Sequence, residues 1–310
     1  MKRVQWWVEY ILLAAWGVKL RLLPLSWVRQ VGRVLGLLGW WLVPFRRKVC
    51  AENLRKAFPQ IDPEVIAPLS RKVFAHFGRW TAELFYLPRM KREDLEREIS
   101  VTGWENLDRA YQRGKGVIFV SGHLGNWEWL GAISSQKGYR VAYVVEAQAN
   151  PLIENLLDRM RTSQGVKIIP RKEAVRGVLK SLYEGYIVAM LCDQDAGGAG
   201  VWTPFFGHFA STPRGPATFH LKTGAPIVFG YNVFSEGKYQ GVFEKPLSFE
   251  TSGDRERAEE AIMRKITLRL EEVIRHYPDQ YLWFHRRWKT PFSEKPPSEP
   301  ALKPTQTASR

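Results

Sequence analysis

The sequence has few cysteines and no long uninterrupted apolar run. It contains two cysteines in 310 residues, Cys50 and Cys192, too few for a disulfide framework or a cysteine-rich metal cluster. We therefore expect a reducing compartment. Residues 4–18 and 27–45 are largely apolar but are interrupted by charged side chains. Both fall short of the roughly twenty mainly apolar residues that cross a bilayer cleanly.

Acidic residues are almost absent from the first 50 residues. This segment holds nine lysines and arginines against one acid, Glu9, a net +8 of the +15 carried by the whole chain. It also holds six of the 13 tryptophans. Tryptophan and basic residues beside apolar helix are typical of a membrane interface. We predict that residues 1–45 anchor the chain in or marginally across a membrane, with the rest on the cytoplasmic side. The alternative is two buried amphipathic helices of a soluble domain.

From residue 103 onward, short apolar runs alternate with segments of helical periodicity. Strands are predicted at residues 117–120, 141–145, 166–169, 186–192, 227–231 and 281–284, with a hairpin turn at 236–237 and a long helix over 254–276. This alternation predicts an α/β domain with a mostly parallel sheet flanked by helices. We place that domain at residues 46–292 and expect a disordered tail at 293–310.

The most informative segment is Ser-Gly-His-Leu-Gly-Asn-Trp-Glu at residues 121–128, directly after the first predicted strand of the sheet. The turn presents His123 at the carboxyl end of that strand, where open α/β sheets bind their ligands. No serine or cysteine stands there as a nucleophile. We expect Glu128 to fold back and orient the imidazole, so that His123 acts as a general base on a substrate hydroxyl. The alternative is a histidine hydrogen-bonded into a turn.

Polar side chains also follow three other predicted strands. Asp193-Gln194-Asp195 precedes a glycine-rich loop, and its acids can orient hydroxyls or neighbouring cations; the alternative is a solvated turn. Arg159 and Arg161 follow the second strand on a helix, where residues two apart do not share a face, so one of them is expected in the cleft. The basic cluster at residues 285–289 either binds phosphate or forms a solvated surface.

Five separated motifs occur together in one order. They are His-Leu-Gly-Asn-Trp-Glu at 123–128, Asn150-Pro151 leading to Arg161, Asp193-Gln194-Asp195, Phe205-Phe206-Gly207 with Thr212 and Gly215, and Gln280-Tyr281-Leu282-Trp283-Phe284-His285-Arg286-Arg287. Over roughly residues 5–290 the chain closely resembles the lipid A biosynthesis acyltransferases, the late lauroyl and myristoyl transferases of endotoxin assembly.

The resemblance implies a glycerol-3-phosphate-acyltransferase-like fold with an N-terminal membrane-anchor helix, at the cytoplasmic face of the inner membrane. It implies acyl transfer from acyl carrier protein to a hydroxyl of a lipid A precursor, without metal or cofactor. By position, His123 is the general base, Glu128 its orienting partner and Arg161 the cleft arginine. Substrate contacts are expected from Asn126, Arg161, Asp193, Gln194 and Asp195. A buried Arg161 should contact substrate or one of Glu128, Asp193 and Asp195.

Other functions fit the same residues to different degrees. A related acyltransferase acting on another glycolipid or phospholipid, such as a mannosylated phosphoinositide, shares the motifs. A hydrolase could use the same histidine and glutamate on water. A nucleic-acid binder is disfavoured, because over half of the excess positive charge lies in the tryptophan-rich first 50 residues, and no nucleic-acid partner is expected. The basic character suits an anionic membrane and an acidic carrier protein.

Overall fold

The computed structural model describes residues 2–249 and 254–292, so the predicted tail at 293–310 lies outside the described residues. The helices are α1 (Lys2–Arg21), α2 (Leu25–Leu42), α3 (Pro44–Ala57), α4 (Pro63–Tyr86), α5 (Arg92–Glu98), α6 (Trp104–Tyr111), α7 (Trp127–Gln136), α8 (Pro151–Thr162), α9 (Ala174–Tyr183), α10 (Gly215–Thr223) and α11 (Arg255–His276). The strands are β1 (Ile99–Thr102), β2 (Val117–Ser121), β3 (Val141–Val145), β4 (Lys167–Pro170), β5 (Ile187–Leu191), β6 (Val201–Phe205), β7 (His208–Thr212), β8 (Ile227–Ser235) and β9 (Lys238–Phe243).

Seven of these strands form one sheet in the order β1-β9-β8-β2-β5-β3-β4. Every neighbouring pair is parallel except β8 and β9, which form the hairpin predicted at Glu236-Gly237. Helices join the parallel strands, as a parallel sheet requires. The prediction of a mostly parallel sheet flanked by helices is therefore confirmed. Strands β6 and β7 form a separate antiparallel pair that the sequence did not reveal.

Strand β2 lies in the middle of the sheet, between β8 and β5, and all five of its residues are buried. Burial on both faces explains why its sequence is a continuous apolar run rather than an alternating one. In its pairing with β5, Ser121 lies opposite Leu191. The two chains therefore leave the sheet at the same level, side by side.

The predicted strand at residues 281–284 is wrong. Only Tyr281 makes a sheet-like contact, an isolated bridge to Leu124. The backbone carbonyls that would pair with a neighbouring strand instead accept hydrogen bonds from side chains of α3. Asn53 Nδ2 donates to the carbonyls of Trp283 (2.8 Å) and His285 (2.7 Å), and Arg46 Nη1 donates to that of Phe284.

Helices α2 and α4 cross with almost no space between their backbones. A Cβ atom built at Gly36 would lie 2.1 Å from the carbonyl oxygen of Phe74, and one at Gly78 would lie 2.2 Å from that of Gly32. On the same side, α2 buries Val28 (0% exposed) and Trp40 (7%). Helix α2 is thus packed into the domain rather than standing apart from it.

The other side of α1 and α2 exposes many large apolar side chains. They are Val4, Trp7, Val8, Ile11, Leu12 and Val18 on α1, Trp27, Val34, Leu35, Leu38, Trp41 and Leu42 on α2, and Leu22, Val43 and Phe45 beside them. We call this set the apolar face. Across residues 2–249 and 254–292, none of the helices combines the length and the apolar character needed to cross a membrane.

Candidate active site

His123 and Asp193 meet at the carboxyl end of the sheet. The backbone N–H of His123 donates to Asp193 Oδ2 (2.8 Å), and the ring Nδ1 of His123 lies 2.8 Å from Asp193 Oδ1. Asp193 is 3% exposed, whereas the His123 side chain is 21% exposed. A carboxylate at Nδ1 holds the proton there and leaves Nε2 unprotonated in the neutral imidazole. The pair therefore presents a base in an accessible position.

The strand register explains this contact. Since Ser121 on β2 lies opposite Leu191 on β5, His123 and Asp193 each follow two residues after a matched position. Burial alone would raise the pKa of Asp193, but the charge and hydrogen bonds of His123, with the nearby Arg287, lower it below its usual value. Asp193 is therefore the ionised partner that can stabilise an imidazolium.

Glu128 does not orient His123, and this corrects the prediction from the sequence. Its carboxylate is 1% exposed and accepts from Arg161 Nη2 (2.8 Å) and Nε (3.1 Å). Glu128 lies in the first turn of α7, on the side that faces α8, while β5 brings Asp193 to the imidazole. The expectation that Arg161 contacts Glu128, Asp193, Asp195 or substrate is confirmed for Glu128. Burial by itself would lower the pKa of Arg161, but the charge and hydrogen bonds of Glu128, together with Tyr143 and Asp158, raise it above its usual value.

The two arginines of α8 should respond differently to substitution. Arg161→Lys should lower the free energy of unfolding by about 1–3 kcal/mol, because lysine cannot reproduce the planar fork on the buried Glu128. Arg159 is exposed, so Arg159→Lys is its matched control and should stay within about 0.5 kcal/mol of the parent. Urea unfolding of both variants measures the difference. Equal losses would place both side chains in equivalent surroundings.

Asn126 is buried and both polar atoms of its side chain bond within the protein, which does not fit the predicted substrate contact. It is 1% exposed; its Nδ2 donates to Glu83 Oε2 (3.1 Å) and its Oδ1 accepts from the backbone N–H of Trp129 (3.1 Å). It is therefore the N-cap of α7. Helix N-caps favour asparagine for this acceptor role, so its place between Gly125 and the helix was a readable signal.

The other two residues predicted with Asp193 differ from it. Asp195 accepts from the hydroxyl of Thr290 (2.8 Å), and its backbone N–H donates to His285 Nε2 (2.9 Å). It thus connects the loop after β5 to residues 285–290 rather than touching His123. Gln194 is half-buried beside this loop and makes no side-chain hydrogen bond within the described residues. Its predicted substrate contact stays a prediction.

The backbone amides beside His123 already have acceptors. The N–H groups of Leu124, Gly125 and Asn126 donate to the carbonyls of Gly122, Gln280 and Asn232 respectively. They cannot also stabilise an oxyanion without breaking these bonds.

Arg287 belongs to the basic cluster that was predicted to be a phosphate site or a solvated surface. It is 2% exposed and donates to Ser211 O and Thr212 Oγ1. Within the described residues, no three His, Cys, Asp or Glu side chains are placed to hold a metal.

An apolar groove of about 600 Å³ lies one aromatic ring away from His123. Trp127 contacts the His123 ring edge-on (5.0 Å between centroids) and packs near Phe77, which lines the groove. The other lining residues come from α1, α2, α4 and the segments beside them: Leu13, Trp16, Leu35, Gly36, Gly39, Val43, Arg46, Phe74, Gly78, Thr81 and Phe284. Leu35 and Val43 also belong to the apolar face, so the groove borders that face, and Trp127 lies between the lining residue Phe77 and the His123 ring.

Comparison with known proteins identifies related sequences along most of the chain. A family model described as bacterial lipid A biosynthesis acyltransferase matches residues 1–290. The chain is 28% identical to a phosphatidylinositol mannoside acyltransferase of Mycobacterium tuberculosis over 261 residues, 81% of each protein. It is 28% identical over 272 residues to the lipid A biosynthesis lauroyltransferase of Escherichia coli, covering 86% of this chain and 87% of that protein. The lipid A biosynthesis myristoyltransferase of Escherichia coli is 20% identical over 264 residues, 84% of this chain and 79% of that protein.

Proposed function

Because the chain belongs to the bacterial lipid A biosynthesis acyltransferase family and is an acyltransferase, we propose that it moves a fatty acyl chain from acyl carrier protein to a hydroxyl of a lipid A precursor. Acyl transfer to a glycolipid agrees with the names of its relatives. An acidic carrier suits a chain of net charge +15. The proposal includes a glycerol-3-phosphate-acyltransferase-like fold, with which the mostly parallel sheet is consistent.

The His123–Asp193 pair is the observation that carries the mechanism. His123 Nε2 takes the proton of the acceptor hydroxyl as its oxygen attacks the thioester carbonyl, giving a tetrahedral oxyanion. The oxyanion collapses, the carbon–sulfur bond breaks, and the departing sulfur takes the proton from His123 Nε2. Asp193 stabilises the imidazolium between these two proton transfers. A His–carboxylate pair without a nucleophilic serine suits direct transfer, with no acyl-enzyme.

Glu128 and Arg161 support this site without acting on His123. Their buried ion pair joins the first turn of α7 to the last turn of α8, and α7 follows directly on the turn that carries His123. We therefore assign Glu128 a positioning role in place of the orienting role predicted from sequence.

The groove beside Trp127 is a suitable site for the acyl chain. Its volume of about 600 Å³ lies within the usual range of ligand pockets, and its lining is mostly aromatic and aliphatic. An acyl chain placed there would have its thioester end toward Trp127 and His123. The connection to the apolar face would let lipid chains reach the groove from a membrane.

We propose that the apolar face rests on the anionic cytoplasmic surface of the inner membrane. Its exposed tryptophans, together with the basic residues of the first 50 positions, match the composition of interfacial helices. Such helices lie in the plane of the interface and do not need to cross it. Since α2 is packed on α4, removing residues 1–45 would uncover α4, and point substitutions are the cleaner test.

Substituting Trp7, Trp27 and Trp41 together by serine should weaken binding to anionic liposomes at least about tenfold, because each loses apolar area buried in the interface. These side chains are 54%, 65% and 64% exposed, so folding should be preserved. Flotation measures binding. Tyr183→Ser with Phe209→Ser removes exposed aromatic side chains outside the first 50 residues and should float normally. Normal flotation of the tryptophan variant would move the membrane contact elsewhere.

A second acceptor has specific support. The relative from Mycobacterium tuberculosis is named a phosphatidylinositol mannoside acyltransferase and covers 81% of this chain, so a mannosylated phosphoinositide is the alternative. Mass spectrometry of lipids from cells with and without the gene separates the two. Loss of one acyl chain from lipid A supports the proposal, whereas a change confined to phosphoinositide mannosides supports the alternative. Thioester cleavage that needs no acceptor would indicate a hydrolase.

A further inference from the structure

Glu83, on α4, is a fully buried carboxylate that reaches the turn carrying His123. It is 0% exposed and accepts from Arg29 Nε (2.8 Å), Asn126 Nδ2 (3.1 Å) and the hydroxyl of Tyr239. Arg29 also pairs with Glu98 at 2.8 Å. A carboxylate in this position is tolerable only because it is paired and hydrogen-bonded. Through Glu83, α2, α4 and β9 all connect to Asn126. We call residues 123–126 the His123 turn.

A second contact from α4 holds the neighbouring residue of the His123 turn. Arg79 Nη2 donates to His76 Nδ1 (3.0 Å), which leaves the proton on Nε2, and Nε2 donates to the carbonyl of Gly125 (3.3 Å). Burial and the charge of Arg79 lower the pKa of His76 to about 3, so the ring is neutral. The spacing of residues 76, 79 and 83 places them along one side of α4. Helix α4 therefore forms hydrogen bonds with two consecutive residues of the His123 turn, Gly125 and Asn126.

The contact with Glu83 fixes the direction in which the Asn126 amide points. Its Oδ1 accepts from the N–H of Trp129 as the cap of α7, and its Nδ2 faces Glu83. The opposite orientation would set Oδ1 against the carboxylate and Nδ2 against the N–H of Trp129, two repulsive contacts. Asn126 lies between His123 and Glu128 in the chain, so the orientation of its side chain affects the positions of both residues.

We propose that Glu83 is a positioning residue for acyl transfer, which holds the His123 turn through Asn126 from outside the sheet. The inference rests on the proposed role of His123. A misplacement of about 1 Å can cost roughly a hundredfold in rate, so breaking the contact should lower kcat without removing any group that touches the substrate.

The gentlest test is Asn126→Ser, because the serine hydroxyl still caps α7 but is too short to reach Glu83. We expect kcat per folded molecule to fall at least about tenfold, with a thermal midpoint within a few degrees of the parent. Glu83→Gln should lower kcat similarly, because its remaining oxygen stays on the charged Arg29 and its NH₂ group is turned toward the Nδ2 donor of Asn126. Thiol release from an acyl thioester, with calorimetry on the same samples, gives both quantities.

A reversal of donor and acceptor separates positioning from general stability. In Glu83→Gln with Asn126→Asp, the glutamine amide donates to the aspartate, whose other oxygen caps α7, and kcat should recover most of the loss. Glu259→Gln is the matched control, since Glu259 is 3% exposed and accepts from Arg214, Thr218 and Arg255. It should lose stability while keeping kcat per folded molecule.

Two results would overturn the inference. One is a parental kcat in Asn126→Ser while His123→Ala is inactive; the other is a folded reversal pair that recovers nothing. Activity surviving in His123→Ala would instead overturn the proposed mechanism, so the two failures are distinguishable.

Discussion

Replacing Asp193 by asparagine is expected to reduce acyl transfer about 10⁴-fold, comparable with the loss from a wrong histidine tautomer in other catalytic His–carboxylate pairs. The backbone N–H of His123 donates to one oxygen of Asp193. In Asp193→Asn the amide oxygen must stay on that N–H, which turns the new NH₂ group toward Nδ1. The imidazole would then carry its proton on Nε2 and could not accept one from the acceptor hydroxyl.

Steady-state kinetics of Asp193→Asn, His123→Ala and the double variant would test this prediction. His123→Ala and the double variant should show about the same residual rate, and Asp193→Asn a rate at or somewhat above it, because losses from side chains that act as one unit do not add. Asp195→Asn is the matched comparison, since Asp195 bonds Thr290 rather than His123, and it should lose far less. A parental rate in folded Asp193→Asn would contradict the tautomer argument and the general-base role together.

Glu128→Ala is expected to lower the free energy of unfolding by about 3 kcal/mol, because the largely buried Arg161 loses its hydrogen-bonded carboxylate and keeps Asp158, at 3.9 Å, as its remaining partner. The Arg161 side chain is 16% exposed and Glu128 is its nearest carboxylate, at 2.8 Å. Loss of activity in this variant would therefore follow from loss of structure near α7. Chemical denaturation of the purified variant measures the change.

A double substitution distinguishes the structural from a chemical role of Glu128. Glu128→Leu with Arg161→Met replaces the buried pair by apolar side chains of similar size, which is often neutral for stability. We expect the double variant to recover most of the lost stability and, if the pair only positions α7, most of the activity. A stable but inactive double variant would show that the pair contributes to the reaction itself.

The central strands of the sheet were predictable because a strand buried on both faces is a continuous apolar run, whereas the edge strand β1, with one buried residue, was not predicted. The sheet order was not, since strand pairing joins segments far apart in sequence. This difference explains the error at His123. Local spacing favoured Glu128, five residues away, whereas the actual partner, Asp193, lies 70 residues away and is brought close by the pairing of β2 with β5.

The same distinction applies around the site. The i, i+2 spacing of Arg159 and Arg161 predicted that they differ in surroundings, and burial of Arg161 then required a carboxylate partner. Asn126 was misassigned because motif membership does not tell a substrate contact from a helix cap. In the sequence, Glu83 is one glutamate in a helical segment with no motif around it. Its role becomes visible only in the fold, where α2, α4 and β9 meet at its carboxylate.

Helix α2 is held against α4 by the close backbone approach at Gly32, Gly36 and Gly78. It therefore keeps Trp27 and Trp41 exposed in the folded protein. The α2 part of the apolar face is therefore formed when the chain folds, so the proposed membrane contact would not require α2 to fold on the lipid. Its conformational entropy is already lost, so adsorption would carry little further ordering cost. The rate of adsorption to a membrane would then depend on ionic strength through the basic residues. It would not be limited by a slow folding transition.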